Sequence, residues 1–254
     1  LLSANFDGCP LGALSSTASM AAGTLNSGTA AGTWTFSDAT GYGGIGANSA
    51  NGSDHAAAFD HNTTAQAGMA MMPENGVAAG TSYPVTVTAD APGPNSIVLD
   101  ANFAGAGGFT GTNSTAINFD WGSFGNNSGA SFKYAFVRGL DAVGNAVFEL
   151  LWYQGSTSNI CQILARSTTD TTTYLASAAA QPVISGTVIA TNFDPTPPNN
   201  NVASTKPVAM IPVSILLTNN QVVYTINGGT PSTFALNSSA TSISKLEFSE
   251  VWNS

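Results

Sequence analysis

Apolar and polar residues alternate along the second half of the chain with the period of two expected of half-buried strands. The 3.6-residue period of an amphipathic helix is not sustained in any window. Ala116–Trp121 (AINFDW) alternates in this way. Phe132–Leu140 (FKYAFVRGL) leads through a turn at Asp141–Asn145 into Ala146–Gln154 (AVFELLWYQ). A turn at Gly155–Asn159, the run Ile160–Arg166 (ICQILAR), a turn at Ser167–Asp170 and Thr172–Ala176 follow. Short strands between compact turns predict an antiparallel meander. A further hairpin is predicted from Pro212–Thr218 (PVSILLT) and Gln221–Asn227 (QVVYTIN), joined at Asn219–Asn220. A turn at Gly228–Gly229 and a strand at Ser232–Leu236 come next. In the final run, Ile243–Trp252, alternation sets Leu246, Phe248, Glu250 and Trp252 on one face.

The first half is patterned more loosely. Leu2, Ala4 and Phe6 fit the inner face of a first strand, and residues 12–32 are too poor in large side chains to form a core alone. Further strands are expected at Trp34–Phe36, His55–Phe59, Gly68–Met72, Val85–Thr88 and Ile97–Leu99. Asn192–Pro207 reads as one long loop, because its prolines and Asn run resist ladders and helices alike. With no fixed-period repeat and no convincing linker, residues 1–254 read as one all-β domain with helix below about a tenth of the chain.

Composition changes the picture most through what is scarce. Only 7% of the 254 residues are charged, against 43% hydrophobic; ordinary soluble proteins carry roughly a quarter charged residues. The surface must therefore be built from Gly, Ser, Thr, Asn and Ala, which points to an extracellular or cell-surface setting. A net charge of −9, with the five cations Lys133, Arg138, Arg166, Lys206 and Lys245 dispersed, argues against nucleic acid as a partner. No apolar stretch reaches the roughly 18–20 residues of a membrane-spanning helix; Val208–Leu217 is short, contains Pro212 and reads as a strand.

Cys9 and Cys161 permit one disulfide, and equally two separate buried thiols; their spacing fits no zinc or redox motif. The run Asp54-His55-Ala56-Ala57-Ala58-Phe59-Asp60-His61 is rich in metal-ligating side chains. On a strand, however, residues six apart stand about 20 Å apart, too far to share an ion. Loop carboxylates such as Asp7 or Asp38 are better candidates for a structural calcium ion, the one cofactor that remains open. N-x-S/T sequons at Asn51, Asn62, Asn113, Asn126 and Asn237 are candidate glycosylation sites, in a number that this composition produces by chance.

The order of features resembles a concanavalin A-like or laminin G-like jelly roll. The resemblance rests on Asn5-Phe6-Asp7-Gly8, Gly32-Thr33-Trp34, the meander from Phe132 to Leu150, and Lys245-Leu246-Glu247-Phe248. It implies a two-sheet antiparallel sandwich whose first and last strands are neighbours, Phe6 beside Phe248. Members of that group are often secreted and often bind carbohydrate.

The glucanases of this fold class set carboxylates on one strand face at E-x-D-x-x-E or E-x-D-x-E. Glu247 and Glu250, three apart, fall on opposite faces, and no carboxylate pair here matches. Gly105-Ala106-Gly107-Gly108 lacks the Lys-Ser/Thr and helix of a phosphate loop. Trp34, Trp121, Trp152 and Tyr153 are candidates for stacking on sugar rings. Glu250 is either one half of an ion pair, with Arg138 as its expected partner, or a polar anchor in a glycan groove. No catalytic residues are assigned. The chain is expected to be a non-catalytic, self-associating structural or adhesive subunit. A carbohydrate-binding module is the alternative, and a polysaccharide-active enzyme with an unrecognised site comes third.

Overall fold

A strand that alternates apolar and polar residues hides one row of side chains, and each hidden row needs a second layer to cover it. The computed structural model meets that need with strands alone. It describes residues 12–13, 20–21, 32–36, 43–47, 55–60, 67–72, 93–101, 108–125, 132–154, 161–170, 172–173, 183–191 and 209–253. No helix occurs among the described residues.

The strands of the first half are β1 (Gly12–Ala13), β2 (Met20–Ala21), β3 (Gly32–Phe36), β4 (Gly43–Ala47), β5 (His55–Asp60), β6 (Ala67–Met72) and β7 (Gly93–Ala101). Next come β8 (Thr115–Gly125), β9 (Phe132–Leu140), β10 (Ala146–Gln154), β11 (Cys161–Arg166), β12 (Thr172–Thr173), β13 (Val183–Ile184) and β14 (Thr187–Thr191). The last four are β15 (Ala209–Thr218), β16 (Gln221–Ile226), β17 (Ser232–Ala235) and β18 (Lys245–Asn253). They form two antiparallel sheets, ordered β1-β4-β5-β6-β8-β15-β16-β17 and β14-β11-β10-β9-β18-β7-β3-β2. β12 and β13 make a separate two-stranded ladder.

The inner faces of the two sheets share one core. Phe119 and Trp121 of β8, Val213 and Ile215 of β15, and Val222 and Tyr224 of β16 come from the first sheet. Facing them are Val137 of β9, Phe148, Leu150 and Trp152 of β10, Ile163 of β11, and Leu246 and Phe248 of β18. Among the described residues, three aromatic pairs cross between the sheets edge to face. Trp121 meets Trp152 at 5.1 Å and 83°, Phe119 meets Phe248 at 5.2 Å and 87°, and Phe148 meets Tyr224 at 6.3 Å and 68°. Each such pair adds about 0.5–1.5 kcal/mol beyond the area it buries. Gly139 of β9 lies opposite Phe148 of β10, and a Cβ there would run into the Phe148 ring. The missing side chain is what lets the ring come this close to its neighbour strand.

β9 and β10 occupy the residues expected of them, and the meander β9-β10-β11 pairs antiparallel throughout. In the turn between β9 and β10, Asp141 Oδ1 accepts hydrogen bonds from the backbone N–H of Val143 and Asn145. Gly144 there takes φ 92°. Asn220, at φ 66°, turns β15 into β16. Asn227 and Gly228, at φ 50° and 68°, then turn the chain toward β17, one residue earlier than the expected Gly–Gly turn. The Gly229 N–H closes that turn on the Ile226 carbonyl. Two positive φ values in sequence are the signature of the hairpin turn that Asn-Gly favours.

β4 and β14 are strands that the alternation pattern does not announce. β18 is hydrogen-bonded on both edges, to β7 and to β9. The strand expected beside it, around Phe6, lies outside the described residues, as do Val85–Thr88 and the expected loop at Asn192–Pro207.

Candidate functional site

On the outer face of the second sheet, four charged residues stand in one row across four adjacent strands. Register aligns Arg166 of β11 with Glu149 of β10, Glu149 with Arg138 of β9, and Arg138 with Glu247 of β18. Directly opposed side chains share a face and lie close enough to interact, so the row alternates positive, negative, positive, negative. Glu149 bridges both arginines: Arg138 Nε donates to its Oε2, and Arg166 Nε stands 3.0 Å from its Oε1. Arg138 also reaches Glu247 at 3.6 Å. Burial falls from one end of the row to the middle, the Arg166 side chain being 6% exposed, Glu149 12% and Arg138 30%.

An apolar row runs beside the charged one. Leu164, Leu151 and Phe136 are in register and pack together, with Ile184 of β13 against them. Both guanidinium groups lie over the Phe136 ring, Arg138 at 4.4 Å from its centroid and Arg166 at 5.8 Å. The ring's negative face favours a cation above it, so Phe136 serves as a floor for the row.

Phe136, Arg138, Glu149 and Arg166 line a cleft of about 350 Å³ together with Asp170 and Asn237. Asp170 accepts hydrogen bonds from the backbone N–H and the hydroxyl of Ser167, pinning the turn after β11. The Ser167 N–H bond holds the Asp170 carboxyl below its ordinary range against the opposing effect of burial. The Ser167 and Ser185 hydroxyls and the Arg166 charge assist. Asn237, just past β17 of the first sheet, donates from its backbone N–H to the Val147 carbonyl and from Nδ2 to the Arg166 carbonyl. It thereby ties the two sheets together at this end. Of the described residues that line the cleft, the charges of Arg138 and Arg166 are balanced by those of Glu149 and Asp170.

A second cleft, of about 320 Å³, opens between β14 and the β16–β17 hairpin. Among the described residues its lining includes Ile189, Thr191, Tyr224, Asn227, Thr230 and Ser232, and none of those is charged. Burial pushes the Tyr224 phenol above its ordinary pKa, with the Glu149 charge adding to the effect. It stays neutral at any physiological pH.

The expected site residues scatter. Trp121 and Trp152 are each 1% exposed and pack against each other in the core, so neither indole offers a face to a sugar. That corrects their candidacy as glycan contacts: both fall on the inner row of their strands. Arg138 is likewise not the partner of Glu250. Register sets Glu250 opposite Ala135, whose side chain is in the core, while Arg138 is opposite Glu247 and belongs to the other face. Trp34 lies in β3 in register with Leu99, and Tyr153 in β10 in register with Tyr134 and Gln162. Cys161 begins β11; Cys9 lies outside the described residues, and with it the expected disulfide.

His55 and Asp60 are the two ends of β5, while Asp54, His61, Asp7 and Asp38 lie outside the description. No group of three or more His, Cys, Asp or Glu that could hold a metal occurs among the described residues. Of the sequons, Asn113 is exposed and Asn237 is engaged through Nδ2; Asn51, Asn62 and Asn126 are outside the description. No helix among the described residues is long and apolar enough to cross a membrane.

The sequence analysis missed the charged row. Arg138, Glu149 and Arg166 each follow an apolar residue (Val137, Phe148 and Ala165) on consecutive strands of a recognised meander, which was the available signal. Compared with family models, with curated proteins and with solved structures, the chain matches none.

Proposed function

We propose that this chain is a secreted, non-catalytic structural or adhesive protein, a self-associating subunit of an extracellular coat, matrix or filament. The observation that carries the reading is a pair of uncharged rows on the outer face of the first sheet, beside which Asp120, the next residue of β8 on that face, is only 2% exposed. Register builds two rows there, Ala116–Leu216–Val223–Thr233 and Asn118–Ser214–Thr225, without a charged residue in either. Ala116, Asn118 and Thr233 are exposed, and Leu216 is 36% exposed. Such a face packs against a copy of itself at little desolvation cost, whereas rows of like charge would resist it. On the opposite sheet the charges are matched within their own row, so that face adds little repulsion.

The reading treats the sandwich as one jelly-roll domain over residues 1–254, of the concanavalin-like kind. The alternative, a carbohydrate-binding module, loses two of its stacking candidates with Trp121 and Trp152 in the core. Sedimentation velocity across a wide concentration range, at low and high salt, tests the proposal. Assembly that persists in high salt is expected, because its contacts are apolar and hydrogen-bonded. A strict monomer under both conditions refutes it.

A further inference from the structure

The segment Val183–Gly186, which leads into β14, lies against the outer face of the second sheet through successive residues. Ile184 packs on Phe136, Leu151 and Leu164. The Ser185 hydroxyl donates to the Asp170 carboxylate, at the far side of the turn after β11. Gly186 has φ 150°, and a Cβ there would stand 3.1 Å from both Arg166 Cγ and Leu164 Cβ. A residue without a side chain is what lets the backbone come so close to β11.

The ground beneath this segment is dry. Phe136, Leu151 and Leu164 are 3%, 0% and 5% exposed, and the Arg166 side chain beside them 6%. The segment therefore borders both the apolar row and the deep end of the charged one. Its own hold is slight by comparison. β13 makes two pairs with β12, whereas β10 is paired on both edges from Glu149 to Gln154. Ile184, Ser185 and Gly186 are half-buried. Segments with few ladder bonds and modest burial open at free energies well below that of the whole domain.

We propose that Val183–Gly186 is a strap, a cover that opens on its own while the two sheets stay folded. Opening brings the Arg166–Glu149 pair and the Phe136–Leu151–Leu164 row into solvent. Ile184 and Ser185 are its fastenings, and Gly186 is its pivot. Closed, the strap keeps water from the Arg166 end of the charged row. Open, it leaves an ordinary surface ion pair, and such pairs contribute little. The strap thus sets how strongly the charged row holds the sheet. Self-association does not require it, and either can fail without the other.

Native-state hydrogen exchange on the whole protein, followed through urea concentrations below the unfolding transition, reads the opening directly. The β12–β13 amides should be protected, but about a hundredfold less than those of Leu150–Trp152 and Ile163–Ala165, and with little dependence on urea. Strap amides that exchange only with global unfolding, or that show no protection, overturn the proposal. A double-mutant cycle reads the coupling to the charged row. Gly186→Ala sets a Cβ against β11 and should hold the strap off its seat. In that background Glu149→Gln should shift the urea midpoint by less than half as much as in the parent, because the pair is already wet. Equal shifts in the two backgrounds overturn the proposal, since the strap would then not govern burial of the pair. If Gly186→Ala does not fold, Ser185→Ala takes its place, removing a fastening without adding bulk. Its strap amides should lose about tenfold in protection while those of β10 are unchanged. Unchanged protection in the strap, or an equal loss in both, overturns the proposal.

Discussion

Replacing Glu149 by Gln removes one charge from the middle of the four-residue row and changes little else about the side chain's shape. The consequence differs for the two arginines it bridges. Arg138 keeps Glu247 at 3.6 Å and has 30% of its side chain in solvent, so it is largely compensated. Arg166, 6% exposed, has Glu149 as its ion-pair partner at 3.0 Å. Removing one member of a buried pair costs about 3–5 kcal/mol, mainly because the remaining charge is stranded. Arg166 is not left alone, since the Asp170 carboxylate still feels its charge and the Phe136 ring still faces both cations, so the low end of that range applies.

A loss of about 3 kcal/mol is expected, which for a domain of this size lowers Tm by roughly 6–12 °C. Glu247→Gln is the comparison, expected to cost no more than about 1 kcal/mol because its pair is longer and partly exposed. Adding Arg166→Met to Glu149→Gln should recover part of the loss, since the buried cation that has lost one of its counter-charges is then gone. Urea unfolding followed by tryptophan fluorescence reads all four proteins, with Trp121 and Trp152 reporting on the shared core. If Glu149→Gln unfolds at the same urea concentration as Glu247→Gln, the ladder has no buried, coupled centre and the reasoning fails.

Gly139→Ala should destabilise by about 1–3 kcal/mol, as overpacking does, because the new methyl meets the Phe148 ring in a filled core; thermal melting checks it. Trp121→Ala should cost about 3–5 kcal/mol, and a milder loss would mean that the Trp121–Trp152 contact is not the centre of the core. Asp170 links stability to acid. Its folded pKa lies below the unfolded value of 3.8, so its contribution is present above that pH and is lost as pH falls through the folded value. Asp170→Asn should therefore be less stable than the parent at neutral pH and converge with it in strong acid. Parallel curves from neutral pH to strong acid would contradict the Ser167–Asp170 bracket.

Most of the local architecture was legible in the residues. Alternation located β8 to β11 and β15 to β18 because a side-chain period of two is a local property, set by backbone geometry before any partner is chosen. The turns were legible for the same reason, Asn and Gly being the residues that enter positive φ at low cost. β14 was not legible: five residues, with their exposed and half-buried positions unevenly mixed, carry too little pattern to stand out.

What the sequence by itself determined is that this chain makes strands, buries one face of each, and carries few charged residues, 7% of the whole, with a net charge of −9. Only the tertiary structure decided which face each functional candidate occupies. Trp121 and Trp152 are strand aromatics in either reading, and the facing sheet makes them core. The ladder turns on one irregularity. Ala146 pairs with Leu140, but a one-residue shift follows, and Phe148 pairs with Gly139. Without that shift Arg138 would face Phe148, putting a guanidinium on the core side; with it, Arg138 faces Glu149. A one-residue slip moves every later side chain to the opposite face. Nothing in the alternation of either strand alone states where it occurs. It is settled between strands, where Phe148 fits over Gly139 inside and Glu149 reaches two arginines outside.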